Sequence, residues 1–332
     1  MRVVIADPPA FTPPYDHELA AALARAGADV ELVTSRFRFG DVPAPAGYRR
    51  RELFYPLSAR LFRRSPLRLP LKVLEHPFGM ARLAAVRADI VHVQWLGLPE
   101  ADAWLLRRRA PLVLTAHDLL PRRTAQKEGL WRRLFGRFDR IVVHSERGRA
   151  TLAAFGVPAE KLSVIPHPVS PSRPAHHDGR TVLALGLVRP YKQLDHAREA
   201  VSRVAGAELR VAGASGRFLS ETEIDGALAE STVAVFPYRA ELDQSGALLR
   251  ALGAGLPAIV YDVGGLAEPV HAFGAGRVVA PDDVDGLAAA IRELLDDPGA
   301  LARAREGAMR ARTELTWEAS AAAHLELYRE LT

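Results

Sequence analysis

The sequence predicts an α/β protein built from two Rossmann-like units, each a parallel sheet covered by helices. Three observations carry this expectation. At the usual ~150 residues per domain, a chain of 332 residues holds about two. Short Val/Ile/Leu runs alternate with stretches of helical spacing, as in a sheet whose two faces are both buried. The alternation stops at 167–180 (HPVSPSRPAHHDGR), which has no apolar period and reads as a linker, and then begins again.

Residues 1–6 (MRVVIA) form the first strand, and Leu19, Ala22, Leu23 and Ala26 mark one face of a helix that Gly27 ends. Further strands are expected at 29–35, 89–95, 111–118, 140–146 and 162–168. After the linker they recur at 181–186, 208–213, 232–237, 257–262 and 277–280. The stretch 284–332 has helical spacing broken at DDPG, 296–299. Residues 41–78 depart from the pattern: prolines and the basic series Arg49, Arg50, Arg51, Arg60, Arg63, Arg64, Arg68 and Lys72 alternate with Leu, Phe and Tyr. Such a segment, 49–72 above all, can lie on an anionic membrane surface or grip a phosphate-bearing acceptor. The other reading is a solvated insertion that packs its apolar side on its own domain.

With 48% hydrophobic and 25% charged residues, collagenous and wholly disordered classes are excluded. No apolar run reaches the ~18 residues of a membrane span, and the opening residues lack the layout of a signal peptide, so the expectation is a cytoplasmic chain. The absence of cysteine excludes disulfides, thiolate nucleophiles and cysteine-type zinc sites. The net charge of +5 is unevenly spread: residues 1–170 carry 27 Lys+Arg against 16 Asp+Glu, and the remainder 17 against 23. One half thus suits an anionic partner. No nucleic-acid recognition motif surrounds the basic residues.

Ligands of open parallel sheets bind beyond the carboxyl ends of the strands, and four loops there hold candidate residues. The first, 7–17, ends in Tyr15, Asp16 and His17. Asp16 there serves as a helix cap or, with Tyr15 and His17, faces an acceptor hydroxyl. The loop after 111–115 holds His117, which can position a hydroxyl or act as a base. In the third, Gly186, Arg189 and Lys192 precede a helix, where cations and backbone N–H groups together suit a diphosphate. In the fourth, Ser245-Gly246 opens a helix, and the missing side chain of Gly246 lets a phosphate approach the first-turn amides.

At these loops the chain resembles glycosyltransferase family 4, the retaining enzymes of GT-B fold, in which two Rossmann-like domains face each other across a cleft. The resemblance rests on GLVRPYK, HSERGRATLAAFGVPAEKLSVIPHPV, SGALLRALGAGLP, DVGGLAE, LTAHD and the closing TWEASAAAHLELYREL, and it spans almost the full length. It implies an N-terminal acceptor-side domain over 1–168, completed by a terminal helix at about 317–332 that crosses back, and a nucleotide-sugar domain over 169–316. It also implies sugar transfer with retention, without a metal or other cofactor. Arg189 and Lys192 would bind the diphosphate beside Gly186 and the Ser245-Gly246 turn, and His117 would contact the sugar.

Two departures alter the expected donor site. The family's Glu-x7-Glu pattern falls on Leu242 and Arg250, and an Arg cannot accept hydrogen bonds from the ribose hydroxyls. Glu241, Asp243 and Gln244 are left as the neighbouring donor-side candidates. The segment between RVAG (210–213) and the strand at 232–237 is also short for the family. The expected function is transfer of a sugar to an acceptor hydroxyl in envelope polysaccharide or glycolipid synthesis, on the inner membrane face. The alternatives are a catalytically degenerate GT-B chain acting as a binding partner, a soluble small-molecule glycosyltransferase, and a GT-B phosphorylase or epimerase.

Overall fold

The computed structural model describes every residue except Phe39, 62–64, Arg108, Arg122, Pro171, His176, 214–218 and 240–242. The chain divides into two compact units. One comprises Met1–His144, Arg149–Ile165 and Trp317–Thr332, the other Ser145–Gly148 and Pro166–Thr316.

The first unit contains β1 (Arg2–Asp7), α1 (Pro13–Arg25), β2 (Asp29–Ser35), β3 (Arg49–Phe54), α2 (Arg68–Ala85) and β4 (Ile90–Val93). It continues with α3 (Pro99–Leu105), β5 (Leu112–Thr115), α4 (Glu128–Arg137), β6 (Arg140–Val143), α5 (Glu146–Phe155) and β7 (Leu162–Val164). The strands are all parallel in the order β3-β2-β1-β4-β5-β6-β7. The order reverses at the β1/β4 boundary, so the loops after those two strands diverge and leave a crevice. Val3, Val4 and Ile5 of β1 are wholly buried, as a central parallel strand requires.

The second unit contains β8 (Thr181–Leu185), α6 (Leu194–Ser202), β9 (Glu208–Ala212), α7 (Glu221–Ala229), β10 (Val233–Phe236) and α8 (Gly246–Gly253). Then follow β11 (Ala258–Tyr261), α9 (Ala267–Phe273), β12 (Gly276–Val279), α10 (Val284–Asp296) and α11 (Pro298–Glu314). Its parallel sheet runs β12-β11-β10-β8-β9, with the reversal at β8/β10. Asp297 separates α10 from α11: its carboxylate accepts from the amides of Gly299 and Ala300, and Pro298 occupies the first turn.

The last helix, α12 (Trp317–Arg329), belongs to the first unit, where it packs on α1. Trp317, Ala321, Leu325 and Tyr328 are buried there. The Tyr328 hydroxyl bonds His92 Nδ1 at 2.6 Å, and Arg25 pairs with Glu318 at 2.8 Å.

The segment 41–78 corrects the sequence reading. It is no insertion: Arg49–Phe54 pairs in parallel with β2 as the edge strand, and α2 follows. Arg49 pairs with Asp29 at 3.0 Å and Arg51 with Glu31 at 2.7 Å, so two of the expected surface cations are engaged on the neighbouring strand. Arg63 and Arg64 lie outside the described residues.

Candidate functional site

In the second unit the loops after β8 and β10 leave the sheet on either side of its switch point. Gly186 takes φ +94°, where a side chain would be strained, and a Cβ there would stand 2.8 Å from Lys192 Nζ. The chain then runs through extended Arg189 into a single 3₁₀ turn, Pro190–Lys192, closed by left-handed Gln193. The turn folds the Lys192 side chain back over the end of β8. Its Nζ donates to the Leu185 carbonyl at 2.9 Å and lies 5.3 Å from the centre of the Tyr238 ring. No carboxylate pairs with Lys192 among the described residues. Burial, helped by the nearby positive charge of Arg189, lowers its pKa to about 8. A small pocket of about 20 Å³, room for about one water, opens beside it, lined by Gly186, Val188, Val235, Pro237 and Tyr238.

Ser245 caps α8, its Oγ accepting from the Leu248 amide at 3.2 Å. Nothing lies within 4 Å of a Cβ built on Gly246, and its φ is not positive. The protein itself therefore makes no demand for glycine there, which leaves room above the first-turn amides.

The other donor-side candidates go elsewhere. Asp243 is tied to the unit's own frame: Ser145 Oγ donates to its carboxylate at 2.8 Å, and Gly265 N donates to its carbonyl at 2.7 Å. Its Oδ2 is buried and has no partner among the described residues, and burial raises its pKa. Gln244 packs over Gly265, where a Cβ would meet its Nε2 at 2.3 Å. Arg250 forks the Glu221 carboxylate at the start of α7, at 2.5 and 2.8 Å. Glu241 and Leu242 lie outside the described residues. Sequence reasoning assigned no role to Ser145 or to Glu268, whose carboxylate accepts from the amides of Glu146 and Arg147 at 2.8 Å each. The available signal was HSER, a strand end followed at once by helix-capping residue types.

In the first unit, Asp7 ends β1, and its Oδ2 accepts from the amides of Phe11 and Thr12 at 2.7 and 3.2 Å. This folds the next loop so that Thr12 Oγ1 accepts from the Trp95 indole at 2.9 Å. Trp95, in the loop after β4, lies flat on His117 from the loop after β5, with ring centroids 5.1 Å apart. His117 Nε2 meets Gln94 Oε1 at 2.9 Å, and Tyr15 meets the His117 ring edge-on at 4.7 Å. The switch point thus brings Tyr15 and His117 together, with Trp95 and Gln94, which sequence reasoning missed.

Asp16 is not the helix cap: Thr12 holds that position and Asp16 lies in the first turn. It is buried at 1% exposure against Asp7, and desolvation, reinforced by Asp7's charge, raises its pKa well above the usual carboxylate range. His17 is not brought to His117; its Nδ1 bonds the Tyr48 hydroxyl at 2.8 Å.

Residues 15–173 match the family described as Glycosyltransferase Family 4, and residues 179–297 match Glycosyl transferases group 1. The chain is 39% identical over 111 residues to glycogen synthase of Mycobacterium tuberculosis, which covers 33% of this chain and 27% of that one. It thus spans about a quarter of that relative's length. It is 28% identical over 388 residues to D-inositol 3-phosphate glycosyltransferase of Thermobispora bispora, covering 95% and 89% of the two chains. The crystal structure of Anabaena Alr3699/HepE in complex with UDP-glucose matches with TM-score 0.71 at 16% identity, covering 100% of both chains. Two parallel α/β units with these switch points are the GT-B fold, and the chain belongs to the family 4 glycosyltransferases.

Proposed function

We propose that the protein transfers a sugar from a nucleotide-sugar donor, bound by the second unit, to an acceptor hydroxyl bound by the first, with retention and without a metal ion. Lys192 carries the reading: a half-buried cation at the β8/β10 switch point, with no carboxylate paired to it among the described residues, suits an anion, and the open amides of α8 supply N–H donors for one. Arg189 adds a second charge. Fixed cations and dipoles stabilise the departing diphosphate, and a donor phosphate oxygen takes the acceptor's proton on the face the leaving group vacates. The Anabaena structure, of the same fold, holds UDP-glucose, which supports this donor class. Position 250 lacks a carboxylate, but Arg250 holds Glu221 in its place, with that side chain 74% exposed and able to accept from ribose hydroxyls.

The acceptor is a hydroxyl compound of envelope polysaccharide or glycolipid synthesis, met at the inner membrane face. Helix α2 supports this setting: one face is buried through His76, Gly79, Met80 and Leu83, while Val73, Leu74 and Phe78 are exposed. No helix among the described residues is long and apolar enough to cross a membrane, so attachment would be peripheral.

The deciding experiment is a thermal-shift panel of UDP, GDP, ADP, dTDP and their sugars, because a ligand that binds the native state raises its apparent stability. A response to one diphosphate series supports the donor reading and names the base. No response to any of them overturns it.

A further inference from the structure

Outside the residues assigned so far, a buried Tyr–His–Asp relay lies against the loop that carries Trp95. Tyr55 follows β3 in the left-handed region at φ +55°, unusual for an aromatic residue, and such strain persists only where the surroundings hold it. Its hydroxyl bonds His76 Nδ1 at 2.7 Å, and His76 Nε2 bonds Asp102 Oδ1 at 2.6 Å. Asp102 Oδ2 accepts from the Leu98 amide at 2.9 Å. All three side chains are buried, and the hydroxyl, both ring nitrogens and both carboxylate oxygens are all used. The direction of each bond follows from the carboxylate, which only accepts. His76 Nε2 therefore carries the proton and donates, which leaves Nδ1 to accept from the Tyr55 hydroxyl. The relay joins the end of β3 to α2 and α3.

What the relay holds is the loop 94–98. At the start of that loop, Gln94 meets His117 at 2.9 Å and Trp95 stacks on the same ring. At its end, Asp102 holds the Leu98 amide, and Gly97 lies against the other two members of the relay. A Cβ on Gly97 would collide with the Tyr55 hydroxyl and stand 2.9 Å from His76 Cε1. The φ of Gly97 is not positive, so close approach, and not backbone conformation, is what asks for glycine there. The helix that supplies His76 is itself seated on the end of β3, because a Cβ on Gly79 would run into the Phe54 ring. One buried relay thus fixes the far end of the loop whose near end fixes His117.

We infer that Tyr55, His76 and Asp102 are positioning residues for the Trp95–His117 stack, acting through Gly97 and Leu98. Their bearing on sugar transfer rests on the reading of His117 as the residue that meets the sugar. A relay that served only the stability of the core would leave the stack in place when one of its oxygens is removed from a protein that still folds. A relay that positions the loop passes the change to Trp95, two residues before Gly97, and from there to the imidazole.

The chain has four tryptophans, Trp95, Trp104, Trp131 and Trp317, so their indole N–H signals can be followed by ¹⁵N NMR, and Trp95→Leu assigns the one in question. Tyr55→Phe removes one oxygen from the relay, and Asp102→Ala removes the acceptor of the Leu98 amide. Asp102→Asn restores that acceptor, and its NH₂ can donate to His76 in the other tautomer. Tyr55→Phe and Asp102→Ala are expected to move the Trp95 signal and leave that of Trp317 in place, and Asp102→Asn to return it most of the way. The kcat for sugar transfer should fall about ten- to a hundredfold in the first two variants, as ångström-scale misplacement does, while the KM for the donor stays unchanged. Asp102→Asn should recover most of the rate. Gly97→Ala tests the contact from the side of the loop: alone it should move the Trp95 signal and lower kcat. Combined with Tyr55→Phe, which removes the oxygen its methyl would meet, it should cost less than the two single losses together. The Trp95 signal is read with neither donor nor acceptor present, so if no sugar transfer is found the proposed function fails and this signal alone decides the positioning. An unmoved Trp95 signal in both Tyr55→Phe and Gly97→Ala overturns the inference, as does a moved signal with kcat at the parent's value.

Discussion

Trp95 and His117 lie in stacked contact, ring centroids 5.1 Å apart and planes 13° from parallel. The two rings come from loops after adjacent strands, so the stack fixes the imidazole plane while Gln94 fixes its rotation at 2.9 Å. A histidine held this way can present one edge to a sugar hydroxyl. His117→Ala is expected to lower sugar transfer by roughly a hundredfold, within the range for positioned acid–base groups. Trp95→Leu should produce a smaller loss by freeing the ring. Calorimetry with the bare nucleotide should find its affinity unchanged in both variants, because the residues proposed to bind the donor belong to the other unit. Equal losses of nucleotide binding and transfer would remove His117 from this role.

Lys192→Met should separate activity from stability. On the proposed reading the cation stabilises a developing diphosphate charge, and losing one such donor costs about 3 kcal/mol of transition-state stabilisation, or a hundredfold in turnover. Its burial lowers its pKa to about 8, which means that the free protein carries the charge at a cost. Melting temperature should therefore hold or rise while turnover collapses. Turnover within a few-fold of the parent would end the assignment.

The loops proposed to hold the donor were legible as strand-to-helix connections because each is one short stretch of sequence: Gly186 to Lys192, and Ser245 to Gly246. Sequence spacing alone puts them at strand ends. What bridges distant segments was not legible. Ser145 and Asp243 are 98 residues apart, and the Tyr55, His76 and Asp102 relay crosses separations of 21 and 26 residues. Strand β3 was missed for a different reason. RRRELF pairs on one side only, and an edge strand does not need the continuous apolar run that marks a buried one. Helix α2 was obscured by Pro70 in its first turn and Pro77 inside it.

Acid should loosen the seat of α12. His144 and His324 are buried, and desolvation lowers the pKa of each to about 4, below the ordinary 6.5. His92, bonded to Tyr328, is lowered as well. A depressed histidine pKa contributes stability that is present above the unfolded value and is lost as pH falls toward the folded one. Stability should therefore drop between pH 6.5 and 4, followed by the fluorescence of Trp317 or by chemical denaturation at each pH. His324→Phe should move the fall to lower pH. A flat profile over that window would show that these histidines do not govern it.

The buried Asp7 and Asp16 pair gives the opposite sign. Desolvation raises both pKa values, and the Asp7 charge raises that of Asp16 further. A carboxyl with a raised folded pKa favours the fold below its unfolded value, and that contribution is lost as pH rises through the folded one. Asp16→Asn keeps the size and a donor toward Asp7 while removing the second charge. Its melting temperature relative to the parent should be near zero difference at pH 4 and should become positive by pH 8. A loss that is the same at both pH values would mean that the carboxylate itself is required.

Helix α2 presents apolar residues on the side turned from its own core, with Leu74 67% and Phe78 68% exposed. Arg82 and Arg87 are exposed at its C-terminal end, and Leu67 and Leu69 are exposed at its start. Apolar side chains flanked by cations suit a helix lying in the headgroup region of an anionic bilayer. Each cation near such a surface adds about 1 kcal/mol, an attraction that fades as the Debye length falls from ~10 Å at 0.1 M salt to ~3 Å at 1 M. The apolar contribution does not fade with salt. Flotation with anionic vesicles should therefore show strong binding at 0.1 M salt and weak residual binding at 1 M, with the same weak binding to neutral vesicles at either salt concentration. Leu74→Ser with Phe78→Ser should abolish the residual binding, and Arg82→Ser with Arg87→Ser should weaken binding mainly at low salt. Thermal melting of each variant checks that the helix remains folded, because all four positions point away from the core. A parent protein that ignores anionic vesicles at low salt would refute peripheral attachment and leave a soluble acceptor, with the donor site unaffected.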